Sequence, residues 1–266
     1  MSHFLLKMVS LKLSISPFTS LNQKESIKID NPLDSSRSNL RVSLKDSLVE
    51  NLLYNERRQK DSIKLFEISD VYSKDTEIKQ QKKLGLIVSG RLGNNYNDFS
   101  KKLDSKYLNK LLNKEHAKDI FEIIEISRDG LDTKKKDKIY YAEISLENIP
   151  SSFFSDLSAQ QKVINFINYE PISEYPSSTR DFSFLVNDFN LVSEVIDMLD
   201  KVSDDEIKNS FLFDYYKNDE TNIIKLGYRF IFQSRHKTLS DIEINKKVNK
   251  ILSPILAIEG VSIPGM

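Results

Sequence analysis

The chain has 266 residues, of which 29% are charged and 39% hydrophobic, a composition typical of a soluble globular protein with one large domain or two ordinary ones. Its 39 Lys and Arg balance 39 Asp and Glu, which argues against nucleic-acid binding through overall charge. The chain contains no cysteine, so disulfides, thiolate metal sites and a cysteine nucleophile are excluded.

The apolar run at 4–15 begins the chain, and its alternation predicts a strand. Two lysines interrupt it and no small-residue cleavage site follows, so it does not resemble a signal peptide. No run of 18 apolar residues occurs, and a membrane-spanning helix is therefore not expected. A reducing, cytoplasmic setting fits the absence of cysteine.

The first 166 residues mix strand and helix patterns. Helical spacing of Leu44, Leu48 and Leu52 predicts a helix over 44–60, with Ser43 as its N-cap. The polar run at 74–83 is predicted to be a hairpin loop or a solvated turn. Further strands are predicted at 9–15, 26–29, 63–72, 84–90, 121–126 and 138–146, and further helices at 99–118 and, with a less regular pattern, 151–166.

A segment rich in turn-forming residues at 168–180 predicts a boundary between two domains. The pattern after it is regular, with Ser240 as the N-cap of the second helix. Strands are predicted at 181–186, 207–216, 222–233 and 261–264, and helices at 191–200 and 240–256. This β-α-β-β-α-β order is that of the ferredoxin-like arrangement, and the whole chain is predicted to be an α+β protein.

The predicted strand at 222–233 has two distinct faces. One face is predicted to pack under the helices, and the other to stay open to solvent or to a partner. The first face carries Ile224, Leu226, Tyr228, Phe230 and Phe232, and the second carries Lys225, Gly227, Arg229 and Gln233.

Two long runs resemble the phenylalanyl-tRNA synthetase beta family. NPLDSSRSNLRVSLKDSLVENLLYNERRQKDSIKLFEIS at 31–69 resembles its pattern of Asn-Pro, an Arg-x-Ser-Leu run, a Leu-rich helix ending near Asn-x-x-Arg-Gln, and Leu-Phe-Glu-Ile. YPSSTRDFSFLV, LFDYY and LGYRFIFQSRHKTLSDIEIN, between 175 and 245, resemble its C-terminal ferredoxin-fold anticodon-binding domain. The two runs occur along this chain in the same order as in the family.

The resemblance implies a role for each half of the chain. Residues 1–167 would form a degenerate, non-catalytic copy of the class II synthetase core, an antiparallel sheet with helices that supports the alpha subunit. Residues 174–266 would bind tRNA(Phe). The family assembles as a heterotetramer of two alpha and two beta subunits, with ATP and Mg²⁺ used on the alpha subunit and no cofactor bound by this chain. The chain is expected to begin inside the core, without the family's upstream domains.

No catalytic, cofactor-binding or metal-binding residue is predicted. A class II site needs a Gly-rich segment with an arginine, and the chain has no Gly-x-Gly-x-Glu-Arg run. Arg41 and Arg58 do not form a matching pair for ATP. P-loop and dinucleotide fingerprints are also absent. The histidines, His3, His116 and His236, are far apart in sequence and are predicted to be solvated or hydrogen-bonded.

The candidate tRNA-binding residues lie in the last domain, although 174–266 carries eleven Lys and Arg against fifteen Asp and Glu. The acids cluster at 197–206 and 214–220, which leaves room for a local basic patch. The candidates are Arg180, Lys225, Arg229, Arg235 and Lys237, with Tyr216 as an exposed ring for base stacking. Phe211, Phe213 and Tyr215 are predicted to share one face and to pack in the core, opposite Leu212, Asp214 and Tyr216.

Other interpretations stay open. Each candidate cation also fits a solvated charged surface, as does the lysine run at 134–136. A freestanding RNA-binding or regulatory protein is a second hypothesis, because ferredoxin-like sheets also recognise single-stranded RNA. A fragment of a split beta subunit is a third. Association with an alpha subunit and selectivity for one tRNA distinguish these hypotheses.

Overall fold

The computed structural model describes residues 16–20, 25–112, 121–149, 171, 173–218 and 220–265. The chain divides into two compact units. The first comprises Met1–Arg91 and Lys102–Val163, and the second comprises Leu92–Lys101 and Ile164–Met266. The sequence had predicted Leu92–Lys101 to belong to the first domain. The strand predicted at 9–15 and the helix predicted at 151–166 lie outside the described residues.

In the described residues of the first unit there are two antiparallel sheets and two helices. The small sheet has the order β1-β3-β2 and the larger one the order β4-β5-β7-β6. The elements are β1 (Phe18–Thr19), β2 (Ile27–Lys28), β3 (Asn39–Leu40), α1 (Lys45–Arg57), β4 (Ser62–Lys74), β5 (Ile78–Gly90), α2 (Ser105–Leu112), β6 (Ile123–Ile126) and β7 (Ile139–Ser145), followed by a 3₁₀ turn (Leu146–Asn148).

Helix α1 packs on the larger sheet through the leucines that its spacing predicted. Leu44, Leu48 and Leu52 are fully buried. Gly85 of β5 lets the helix approach, because a Cβ there would lie 2.9 Å from Leu48 Cδ1. Burying three leucines in one cluster stabilises the unit by several kcal/mol, at about 1.5–3 kcal/mol each. The spacing argument for this helix is confirmed.

The predicted N-cap Ser43 lies one residue before the cap position, which Leu44 occupies. The carboxylate of Glu143, on β7, accepts hydrogen bonds from Leu44 N at 2.7 Å and from Ser43 Oγ at 2.9 Å. A negative charge at a helix N-terminus also interacts favourably with the helix dipole. The helix is therefore stabilised at its start by a side chain that is distant in sequence.

Two predictions in this unit are wrong. Residues 74–83 are not a loop, because β4 and β5 pair continuously from Ser62↔Gly90 to Lys74↔Ile78 and only three residues form the turn. The end of this hairpin is exposed, so its strands carry polar side chains without losing their pairing. The helix predicted at 99–118 begins only at Ser105 and is described as far as Leu112; residues 113–120 are outside the described part.

The second unit confirms the predicted β-α-β-β-α-β order. Its four strands form one antiparallel sheet in the order β11-β8-β10-β9. This is the order that two interleaved βαβ units produce. The elements are β8 (Ser178–Val186), α3 (Phe189–Asp200), β9 (Ile207–Asn218), β10 (Ile223–Phe232), α4 (Asp241–Leu256) and β11 (Val261–Ser262).

The core of the second unit lies on one face of this sheet. It includes Val195 and Leu199 from α3 and Ile244 from α4. The five alternating residues of β10 predicted to face it are all fully buried: Ile224, Leu226, Tyr228, Phe230 and Phe232. Ser240 caps α4 as predicted, because its Oγ accepts from Glu243 N while the Glu243 carboxylate accepts from Ser240 N.

A β-bulge in β9 changes the predicted faces of that strand. Gly227 pairs with Asp214, but the next residue, Tyr228, pairs with Leu212. Phe213 is therefore the additional residue of the bulge, and side-chain alternation is shifted by one on either side of it. Leu212 packs against the core, contrary to the prediction that it shares the exposed face.

Phe211, Phe213 and Tyr215 of β9 do not share one face, so that prediction is wrong. Phe211 lies opposite Arg229, on the side away from the helices. The ring of Phe213 lies against Gly227, where a Cβ would come within 3.0 Å of Phe213 Cζ. Tyr215 lies opposite Leu226 and packs against the core.

Candidate nucleic-acid interface

The sheet face of the second unit that is turned away from its helices is the candidate interface, called here the open face. Residues directly opposite one another in an antiparallel pair lie on the same face. Arg229 lies opposite Asp181 and Phe211, and Lys225 lies opposite Tyr216. The structure therefore brings three of the predicted residues, Tyr216, Lys225 and Arg229, to the open face.

Arg229 is bound within the chain. Its Nε and Nη2 donate to the two carboxylate oxygens of Asp181 at 2.7 and 2.6 Å. Its guanidinium carbon lies 5.0 Å from the ring centre of Phe99 and 5.4 Å from that of Phe213, within the range of cation–π attraction. This bidentate pair fixes the orientation of the guanidinium.

The segment Leu92–Lys101, called here the covering segment, places an aromatic ring on the open face. The ring centre of Phe99 lies 5.0 Å from that of Phe213 and 6.1 Å from that of Phe211. Only 9% of Phe99 is exposed. A second ring, Tyr96, lies 5.7 Å from Tyr215. Part of the open face is therefore covered by the chain itself.

Tyr216 and Lys225 remain accessible further along the same strands. Tyr216 is 58% exposed, which confirms the prediction that its ring faces solvent. Lys225 is exposed, and no ion pair joins it to another residue within the described ranges. An exposed ring beside a cation is a combination that binds single-stranded nucleic acid by stacking and charge.

The other predicted cations lie elsewhere. Arg180 lies within β8, opposite Phe230, on the helix-covered side of the sheet, where its guanidinium donates to Asp241. Lys237 donates to Glu243 in the loop after β10, and this hydrogen bond raises the pKa of Lys237 and lowers that of Glu243 to about 2. Arg235 is exposed in the same loop.

Sequence reasoning missed Phe99 and Asp181 as residues of this surface, and it favoured the core for Phe213. The available signal for Phe99 was an apolar ring inside the polar run NNYNDFS, where no helix or strand pattern required it. Phe213 was hidden by the bulge, which alternation does not reveal. Asp181 directly follows Arg180, and only the strand register shows that it pairs with Arg229 instead.

Arg41 and Arg58 of the first unit are both engaged by other side chains of the unit. Arg41 is 4% exposed and forms an ion pair of 2.6 Å with Glu67, which also accepts from Ser47 Oγ at 2.7 Å. The guanidinium of Arg58 lies 3.4 Å from the ring centre of Tyr54. Both arginines thus have structural partners, and no step of catalysis is assigned to them.

A cavity of about 530 Å³ lies beside α1 in this unit. Its lining mixes both signs of charge, with Arg37 and Arg41 near Asp46 and Glu50. Burial raises the pKa of Asp46. A cavity of mixed charge does not select an anion such as a phosphate group.

Neither a cluster of metal ligands nor a membrane-spanning helix is found in the described ranges. No group of three or more His, Cys, Asp or Glu residues there is arranged to hold a metal ion. Among the helices that the structure describes, none is both long and apolar enough to cross a membrane.

Comparisons with known proteins agree with the two resembling runs. Residues 173–262 match the family model described as Ferredoxin-fold anticodon binding domain, and residues 12–138 match the one described as Phenylalanyl tRNA synthetase beta chain CLM domain. The chain is similar to phenylalanine–tRNA ligase beta subunits. These matches confirm the resemblance of the sequence to a portion of the beta subunit.

Three relatives illustrate the extent of the similarity. The chloroplastic phenylalanine–tRNA ligase beta subunit of Porphyra purpurea is 27% identical over 90% of this chain and 38% of its own length. The beta subunit of Carboxydothermus hydrogenoformans is 26% identical over 90% of this chain and 33% of its own length. The beta subunit of Buchnera aphidicola subsp. Schizaphis graminum is 29% identical over 82% of this chain and 31% of its own length. The chain thus spans about a third of the length of these relatives.

Proposed function

We propose that this chain is the C-terminal, non-catalytic portion of a phenylalanine–tRNA ligase beta subunit, which binds tRNA(Phe) and supports the catalytic alpha subunit. The observation that carries this proposal is the pair of family matches, at 12–138 and 173–262, in one chain. Similarity over 90% of the chain to beta subunits supports it.

The second unit supplies the tRNA contact in this proposal. Tyr216 stacks on an unpaired base, and Lys225 on the same face contacts a phosphate. Arg235 and Lys237 extend the basic surface from the loop after β10. Because the domain is acidic overall, binding depends on this local grouping and not on net charge.

The first unit is a degenerate class II synthetase core in this proposal. Its four-stranded antiparallel sheet with α1 packed on one face supports that assignment. Its Arg41 is held in a buried ion pair with Glu67 and is assigned a structural role. ATP and Mg²⁺ are used on the alpha subunit of a cytoplasmic heterotetramer with two copies of each subunit.

The tRNA contact is tested by Tyr216→Ala and Lys225→Glu in the full chain. We expect each to weaken tRNA(Phe) binding about tenfold at moderate salt, and Lys225→Glu to reduce the salt dependence of binding. The matched control is Lys201→Glu, which makes the same charge change at the end of α3, away from the open face. Equal weakening by the control would refute the assigned surface.

The synthetase role is tested by co-purification with an alpha subunit from the same cell, followed by aminoacylation with and without this chain. Stable association and a gain in phenylalanine charging are expected. If no alpha subunit associates while tRNA binding is retained, the chain is instead a freestanding RNA-binding protein.

A further inference from the structure

We propose that Phe211, Phe213 and the guanidinium of Arg229 form a base-stacking site, called here the Phe213 site, which Phe99 occupies in this structure. Its ligand is an unstacked base of single-stranded RNA. The inference rests on the proposed function, since it assumes that the second unit binds RNA. It adds a second site on the open face and a side chain that competes for it.

Phe99 fills the space beside Phe213 and Arg229, with its ring tilted against that of Phe213. Its ring lies 5.0 Å from the ring of Phe213, at an angle of 45°, and 5.0 Å from the guanidinium of Arg229. Aromatic rings and arginine planes are the surfaces on which proteins stack bases, and stacking tolerates any base because every base has a π-face. A ring that fills this space therefore excludes a base from it.

The platform beneath Phe99 is held by contacts that do not involve the covering segment. Gly227 has no side chain, which allows the Phe213 ring to lie against β10; a Cβ there would meet Phe213 Cζ at 3.0 Å and Asp214 Cβ at 2.7 Å. The bidentate bonds from Asp181 fix Arg229. The site therefore keeps its shape when Phe99 leaves, and such preorganisation favours binding.

Short-range hydrogen bonds close the covering segment on itself. Leu92 N donates to Lys101 O at 2.9 Å, and Asn95 Oδ1 accepts from Asn97 N at 3.0 Å and from Asp98 N at 3.1 Å. Five consecutive residues of this polar run, 93–97, are not buried. Segments with few buried residues open at a lower free-energy cost than the core of a protein.

The Phe213 site lies close enough to Tyr216 to bind the same strand of RNA. The two residues are three positions apart on β9, which is about 10 Å at the rise of a strand. Tyr216 is exposed in the present arrangement, so it contacts RNA first in this proposal. Displacement of Phe99 then extends the contact to a second base.

The test uses the full chain and a single-stranded RNA oligonucleotide that carries 2-aminopurine, whose emission falls when it stacks. We expect Phe99→Ala to raise affinity at least about fivefold and to increase the quenching on binding, because the competing ring is gone. Phe99→Ala combined with Phe213→Ala is expected to lose both gains. Unchanged affinity in Phe99→Ala, or gains that persist without Phe213, would overturn the proposal.

Two further variants keep the test decisive. Tyr96→Ala removes a ring from the same segment but one that contacts Tyr215, so it is expected to give less than half the gain in affinity. If Phe99→Ala does not fold, Asn95→Ala replaces it, because it loosens the turn and leaves the ring in place; a gain below twofold then overturns the proposal. If the wild type binds tRNA through Tyr216 but Phe99→Ala shows no gain in affinity, the Phe213 site is refuted and the proposed function is not.

Discussion

The two units use their charged residues in different ways. The first unit buries ion pairs: both members of Arg41–Glu67 are almost fully buried, and Arg128 donates through both terminal nitrogens to buried Glu56. The second unit buries an apolar and aromatic core, and its ion pairs, such as Arg229–Asp181, are partly exposed.

This difference indicates where ligands bind. A buried cation that forms an ion pair with a carboxylate is held by that pair, and removing the carboxylate leaves an unpaired charge in the interior. In the second unit, Lys225 and Tyr216 place an accessible cation and an accessible ring side by side on an open sheet face. Binding is therefore assigned to the second unit and support to the first.

The largest effect is expected from Glu67→Ala, which leaves Arg41 buried without its carboxylate. The free energy of unfolding of the first unit should fall by about 3–5 kcal/mol. Urea unfolding followed by circular dichroism measures it, with Glu77→Ala in the exposed hairpin turn as the control. A loss below about 1 kcal/mol would show that the buried pair does not distinguish the two units.

A smaller, pH-dependent effect is expected from Glu143→Gln. Burial raises the pKa of Glu143, but hydrogen bonds from Lys83, Tyr141 and Leu44 N outweigh burial and lower the pKa below its ordinary 4.5. The carboxylate therefore stabilises the folded state above pH 4.5, and this contribution is lost as the pH falls through the folded pKa.

The Glu143→Gln variant should lose about 1–3 kcal/mol of unfolding free energy at pH 7, and the difference from wild type should shrink below pH 4.5. Urea titrations at pH 7, 5 and 3.5 measure this dependence. If the difference in unfolding free energy between wild type and Glu143→Gln is the same at all three pH values, the charge of Glu143 does not contribute to stability.

Ser240→Ala tests the second unit by removing the N-cap of α4. The expected loss is about 0.5–2 kcal/mol of unfolding free energy, because one helix amide loses its acceptor. Ser240→Asp is the control, since aspartate also caps helices and should retain most of the stability. Thermal unfolding measures both, and equal losses in the two variants would exclude a capping role.

The smallest effect is expected from Arg180→Gln. Arg180 lies on the helix-covered side of the sheet and donates to Asp241, so tRNA affinity should change by less than about twofold. Fluorescence anisotropy with labelled tRNA measures it beside Lys225→Glu. A tenfold loss would place the RNA on both sides of the sheet and remove the open face as the only binding surface proposed.

The periodic spacing of apolar residues predicted those helices and strands that have one apolar face and one polar face. The alternation of β10 and the leucine spacing of α1 both follow directly from burial on one side, and both are confirmed. The order of elements in the second unit follows from the same patterns. The Ser240 cap was found because the sequence Ser-x-x-Glu encodes its own hydrogen bonds locally.

Features that depend on contacts distant in sequence were not predicted. The bulge at Phe213 is fixed by pairing with β10, and a one-residue shift leaves no mark in the composition of β9. The position of Phe99 depends on where the covering segment packs. The pairing of Arg229 with Asp181 depends on strand register, which turned a predicted free cation into a fixed one.

The acceptor at the start of α1 has a consequence for the order of folding. Leu44 N depends on a carboxylate 99 residues further along the chain, so the first turn of this helix lacks that partner until β7 has been synthesised and has docked. Loop closure over this separation is slow compared with helix formation. During translation the helix therefore frays at its N-terminus until residues 139–145 leave the ribosome.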